Sequence, residues 1–232
     1  KGVGEFYLKL ENLKWDFSII KKIISIGVPS SIEQSMISLA QVLMTSLVAG
    51  FGTMTLAAYG IVNRIISLPT ILAFGVAAAA TTMVGQNIGA DKKVRAEKTS
   101  LVSIGIIFIS MSILGIILFI QPAFVIKIFN DAPEVVKFGT QYLRIVALTF
   151  GFLGAMYVGN GVFKGAGKTI PPMVISSSAL WLFRLGTAYI LITFLSMSQA
   201  GLWWAVALSH LGGSLMGLTW LKISNWSTAV IE

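Results

Sequence analysis

The chain is 232 residues long, 56% hydrophobic and only 11% charged, with no cysteine and a formal net charge of +8. A water-facing surface needs about 25% charged residues, so a mean hydropathy of +0.85 excludes a single soluble globule. It also excludes intrinsic disorder, and the missing cysteines exclude a disulfide-built scaffold.

Residues 1–21 interleave Phe6, Leu8, Leu10, Leu13, Trp15 and Phe17 with lysines and acids. That pattern predicts an amphipathic cytoplasmic segment lying on the inner leaflet. No cleavage-type site follows a short apolar core, so it is not read as a signal peptide. The chain opens without Met, as either a piece cut from a longer protein or a processed mature chain would.

Six apolar runs follow, each long enough for the roughly 20 residues a crossing needs. They cover 22–51, 55–86, 96–122, 133–164, 169–196 and 202–222, with 223–232 left as a cytoplasmic tail. Turn-forming residues separate them: Gly50 and Gly52, Gly89 to Asp91, Asn130 to Pro133, Gly165 to Gly167, and Ser196 to Gln199. Strand-type alternation is absent. The predicted fold is an all-α membrane protein, a bundle of six transmembrane helices, with kinks at Pro29 and Pro69.

The basic residues set the orientation. Lys1, Lys9, Lys14, Lys21 and Lys22 precede the first run; Lys92, Lys93, Arg95 and Lys98 follow the second; Lys164 and Lys168 follow the fourth; Lys222 closes the sixth. The opposite side holds Lys127 and Lys137. Twelve against two places both ends of the segment in the cytoplasm, and makes the surplus charge topological rather than a nucleic-acid site.

Ionisable groups inside a span are costly, so each is a candidate for function. Glu33 falls about eleven residues into the first run, roughly 16 Å along a helix and near mid-membrane. It is either a carboxyl that couples transport to an ion or a neutral, hydrogen-bonded group tying two helices together. Arg64 and Arg184 either face a cavity, counter-charge Glu33, or bond backbone carbonyls; Arg144 snorkels outward. A lone His210 without neighbouring Cys, Asp or Glu is a packing hydrogen-bond donor rather than a metal ligand. Gly151, Gly154, Gly159, Gly161, Gly212, Gly213 and Gly217 mark close helix packing. Trp203, Trp204 and Trp220 read as an interfacial belt.

Catalytic constellations are missing. One histidine and no cysteine make neither a zinc cluster nor a His-Glu-x-x-His helix, and Lys164-Gly165-Ala166-Gly167-Lys168-Thr169 lacks the spacing of a phosphate-binding loop. The chain is not read as an enzyme, and no cofactor is expected.

Three segments carry a resemblance: Ile26-Gly27-Val28-Pro29, Val84-Gly85-Gln86-Asn87-Ile88-Gly89-Ala90-Asp91-Lys92-Lys93, and Gly161-Val162-Phe163-Lys164-Gly165-Ala166-Gly167-Lys168-Thr169-Ile170-Pro171-Pro172. In this order the chain resembles a multidrug and toxic compound extrusion (MATE) transporter. That resemblance implies one lobe of a twelve-helix protein, here the C-terminal one, docked on an N-terminal six-helix lobe. It implies export of organic cations or amphipathic drugs in exchange for H+ or Na+ across the cell membrane. Glu33 falls on the span where one branch of the family carries a coupling acid. Glu134 stands only at the outer mouth of the span that would supply a second. In an archaeal and DinF-like branch the essential carboxylates belong to the other lobe. Gln34, Asn160 and Arg184 are the expected lining of the substrate cleft. The competing readings are a lipid-linked oligosaccharide flippase of the same superfamily, which needs a more cationic cavity, and a six-span channel, which needs a pore signature that is absent.

Overall fold

Asp16 starts the first helix. Its carboxylate accepts hydrogen bonds from the backbone N–H groups of Ser18 and Ile19, at 2.8 and 3.3 Å, which satisfies two amides that the opening turn leaves without partners. The computed structural model describes residues 16–227, and the amphipathic segment expected over residues 1–15 lies outside the described residues. Helix α1 runs Phe17–Ala49, so it begins at Phe17 rather than Lys22. After a turn through Gly52, whose φ of +100° is available to glycine at little cost, α2 runs Thr53–Gly89. α3 follows as Lys93–Ile120. Pro29 and Pro69 are both accommodated inside continuous helices.

A short helix that the hydropathy pattern does not signal, α4 (Pro122–Lys127), opens on a proline, whose missing N–H costs nothing in a first turn. The fourth apolar run is two helices rather than one. α5 (Pro133–Ala147) and α6 (Phe150–Gly165) meet at 56°. At the break the Thr149 amide reaches back to the Val146 carbonyl at 2.9 Å, and the Thr149 hydroxyl donates to the same oxygen at 2.8 Å. That tightening by one residue ends α5. The fifth run is α7 (Ile170–Ser177), a π-helical segment (Ser178–Gly186) and α8 (Thr187–Thr193). α9 spans Ala200–Ile223.

α1, α2, α3 and the continuous stretch Ile170–Thr193 are long and apolar enough to cross a membrane, and the bent pair α5–α6 taken together is long and apolar enough for a fifth crossing. α9 has 24 residues, about 36 Å of helix, but its Ser209, His210 and Ser214 make it less apolar. All three side chains are buried against neighbouring helices, which shields them from lipid. α3 shows the opposite case. Ile106, Ile109, Ile113, Ile116, Ile117 and Ile120 are exposed, while Ile107, Met111 and Gly115 face inward. Such an outer face suits a hydrocarbon surrounding.

α6 is the hub, packed against α2, α3 and α9. Small residues allow this. A Cβ added at Gly115 would collide with the Ala147 carbonyl oxygen, and one at Gly154 would stand 3.0 Å from Ile107. The basic loops gather at one end of the bundle, where Gly85 of α2 meets Gly165 of α6 and Lys168 donates to the Asn225 carbonyl at 2.6 Å. Ser227 donates to Glu97 at 3.0 Å at the same end. Of the expected tryptophan belt, Trp204 is half exposed, whereas Trp203 is fully buried. It stacks on Tyr142 with ring centroids 4.2 Å apart, because α9 turns this residue toward α5 rather than toward the interface.

Candidate functional site

Glu33 is 5% exposed, one of only four buried residues on the 33-residue α1. Both carboxylate oxygens are engaged. Ser176 of α7 donates its hydroxyl to Oε1 at 2.9 Å, and the Lys164 ammonium of α6 sits 2.8 Å from Oε2. Asn160, one turn before Lys164 on α6, donates its side-chain amide to the Ser176 hydroxyl at 3.0 Å. The donors therefore run in sequence from Asn160 to Ser176 to Glu33, with Lys164 closing the other side. Glu33 receives hydrogens on both oxygens and gives none, an arrangement suited to a charged carboxylate. The carbonyl oxygen of the Asn160 amide is buried and has no partner.

These contacts correct one expectation. The counter-charge of Glu33 is neither Arg64 nor Arg184 but Lys164, a residue that the charge pattern assigned to the loop. Lys164 is the penultimate residue of α6, and Asn160 lies five positions before its end, roughly 8 Å in, so the carboxylate is held from the half of the bundle that carries the basic loops.

The remaining candidates are dispersed. Gln34 follows Glu33 in sequence but is exposed on another face of α1, and Arg64 is exposed on α2. Arg184 lies in the π-helical segment and donates from Nε to the Ser209 hydroxyl at 3.0 Å. π-helical turns inside α-helices frequently mark functional positions. His210 is buried, with Nδ1 2.8 Å from the Thr149 hydroxyl at the α5–α6 break. The same hydroxyl also bonds the Val146 carbonyl, so Thr149 ties His210 to the last turn of α5. Trp181, also π-helical, donates Nε1 to the Met36 carbonyl of α1 at 3.2 Å. No group of three His, Cys, Asp or Glu fit to hold a metal exists among the described residues. The residues that sequence reasoning missed are Lys164 and Ser176. Nothing local distinguishes them from a topological lysine and a small packing residue.

The MatE family model matches residues 29–190. The probable multidrug resistance protein NorM of Thermotoga maritima is 25% identical over 227 residues, 98% of this chain and 49% of that protein. The probable multidrug resistance protein YpnP of Bacillus subtilis is 24% identical over 213 residues, covering 92% and 47%. Among solved structures, a MATE protein in a bent conformation superposes with a TM-score of 0.86 at 20% identity, covering 93% of this chain and 48% of that one. A MOP superfamily transporter from Pyrococcus furiosus gives 0.78 at 23% identity, covering 91% and 47%. The chain spans about half the length of the proteins it matches, as one lobe of such a transporter does. With the family match extending from Pro29 of α1 to Ile190 of α8, and the helical bundle superposing over nine-tenths of the chain, this protein belongs to the MatE family.

Proposed function

We propose that the chain is one lobe of a secondary active multidrug exporter, working by antiport against H+ or Na+ across the cell membrane. The lobe forms one wall of a cleft whose other wall is an N-terminal six-helix lobe. Both ends of the segment are cytoplasmic in this reading. Alternating access moves the two lobes against each other, and cation occupancy on one biases the cleft between its open states. The observation that carries the proposal is the buried Glu33 carboxylate held between α1, α6 and α7, three helices that must shift together if the lobe rearranges. Gln34 and Arg64, exposed on α1 and α2, face the partner lobe, and an amphipathic organic cation is the expected cargo. Asn160 lies behind Ser176 in the Glu33 cluster, so it supports the carboxylate rather than touching the drug. Arg184 is the remaining candidate for the cleft wall.

A flippase for lipid-linked oligosaccharides would need a strongly cationic cavity. Arg64 and Arg144 are exposed and Arg184 is committed to Ser209, so no observation favours that reading.

The test uses the full-length transporter in proteoliposomes under imposed Na+ and pH gradients. Glu33→Gln is expected to abolish gradient-driven drug efflux while the protein stays folded, because the amide keeps the volume and the Ser176 contact. Gradient-driven efflux at the wild-type rate would make Glu33 a structural residue.

A further inference from the structure

The surroundings of Glu33 assign a role to Lys164, one that rests on reading Glu33 as the coupling carboxylate. The two partners differ in freedom. The Glu33 side chain is 7% exposed and hydrogen-bonded on both oxygens, whereas the Lys164 side chain is 40% exposed. A lysine stem is flexible and its ammonium hydrates readily. The pair therefore opens by withdrawal of Lys164 alone, with no movement of α1. What stays behind is a buried set of oxygens, two from Glu33 and the hydroxyl of Ser176, which the Asn160 amide holds from behind.

A buried carboxylate left without its counter-charge is costly. A hard cation would remove that cost, since such ions take oxygen ligands. The charge balance sets the valence. Glu33 is the only acid in the cluster, and no three-residue acidic or histidine group exists among the described residues. Replacing the +1 ammonium by a +1 metal ion keeps the buried charge balanced. A divalent ion would leave uncompensated positive charge where the dielectric is low.

We infer that Lys164 is a tethered competitor for the Glu33 site: its ammonium holds the carboxylate in the resting state, and a small monovalent metal cation takes its place when the lysine withdraws. Loading thus requires displacement of an internal cation, which sets the apparent affinity of the site and keeps Glu33 from standing charged and alone.

The experiment measures Na+-dependent tryptophan emission of the full-length transporter in nanodiscs, with choline chloride holding the ionic strength constant. Trp181 contacts α1 one turn from Glu33 and serves as a reporter. Lys164→Gln is expected to lower the Na+ half-saturation concentration about two- to fivefold, the range a partly exposed ion pair commands. Lys164→Arg, whose fork grips a carboxylate with two N–H groups, is expected to raise it. Glu33→Gln is expected to remove the Na+ response. A half-saturation that is unchanged or higher in Lys164→Gln, or unchanged or lower in Lys164→Arg, overturns the competitor role while leaving Glu33 as the site. A Na+ response that survives in Glu33→Gln overturns both. Absence of a Na+ response in the wild type overturns the metal-ion assignment and leaves Glu33 to the pH-gradient arm of the efflux assay.

Discussion

Gly85 and Gly165 face each other across the α2–α6 interface: a Cβ on Gly85 would stand 3.1 Å from the Gly165 carbonyl oxygen. Each belongs to one of the two glycine-rich junctions, and the contact brings those junctions together. Around it, a Cβ on Gly165 would strike the Thr81 backbone, and Thr81 donates its hydroxyl to the Gly161 carbonyl at 2.8 Å. The backbones of α2 and α6 touch here because Gly85, Gly161 and Gly165 carry no side chains to hold them apart.

Gly165→Ala is therefore expected to destabilise the protein by about 1–3 kcal/mol, the range for overpacking a close contact. Gly159→Ala, whose added carbon would meet only Leu221 at an ordinary 3.5 Å, is expected to be near neutral. Thermal unfolding in detergent compares the two. Equal midpoints would mean that the α2–α6 approach is looser than described.

Thr149→Val removes the partner of His210 at the break between α5 and α6. The imidazole Nδ1 is then buried and unmatched, and the Val146 carbonyl loses its hydroxyl donor. The expected loss is about 1–3 kcal/mol. Combining it with His210→Phe is expected to cost less than the sum of the single changes, because the second change removes the orphaned ring nitrogen. Strict additivity in chemical denaturation would dissolve the link between α9 and the bend.

Ser176→Ala strips one donor from Glu33 and the acceptor from the Asn160 amide. Since the Asn160 carbonyl oxygen already lacks a partner, the whole amide is left unsatisfied, at a cost of about 1–3 kcal/mol. Asn160→Leu in the same background is expected to recover part of that loss by removing the polar group. Unfolding midpoints of the single and double variants read this out, and further destabilisation of the double variant would contradict the relay.

Trp203→Ala is expected to cost about 3–5 kcal/mol, the range for truncating a large buried aromatic, as its ring fills the space beside Tyr59 and Tyr142. Trp204→Ala, at a position 48% exposed, is expected to cost far less. Tryptophan emission adds a second check, since loss of the buried Trp203 should shift the mean spectrum to longer wavelength.

Much of the architecture is legible in the residue order because membrane insertion is decided segment by segment. A run such as Ile104 to Ile120 declares itself by transfer free energy alone, and Gly50, Gly52, Asp91 and Gly167 declare turns by the backbone angles they tolerate. Gly154 and Gly161 declare packing because hydrocarbon offers no other use for a missing side chain. The bend at Thr149 was not legible. It depends on one hydroxyl bonding the carbonyl three residues back, in a segment that is otherwise uniformly apolar.

Sequence alone thus determined a lipid-embedded helical bundle with its basic loops at one end, and marked Glu33 as an acid in an expensive place. Tertiary structure alone decided which cation answers Glu33, that Ser176, 143 positions away in the chain, stands beside it, that Trp203 turns inward, and that adjacent Gln34 belongs to another face. The difference is physical. Hydropathy and turn preference are properties of a short stretch in its solvent, whereas an ion pair between α1 and α6 depends on the depth and rotation of two helices, which are set only when their surfaces interlock.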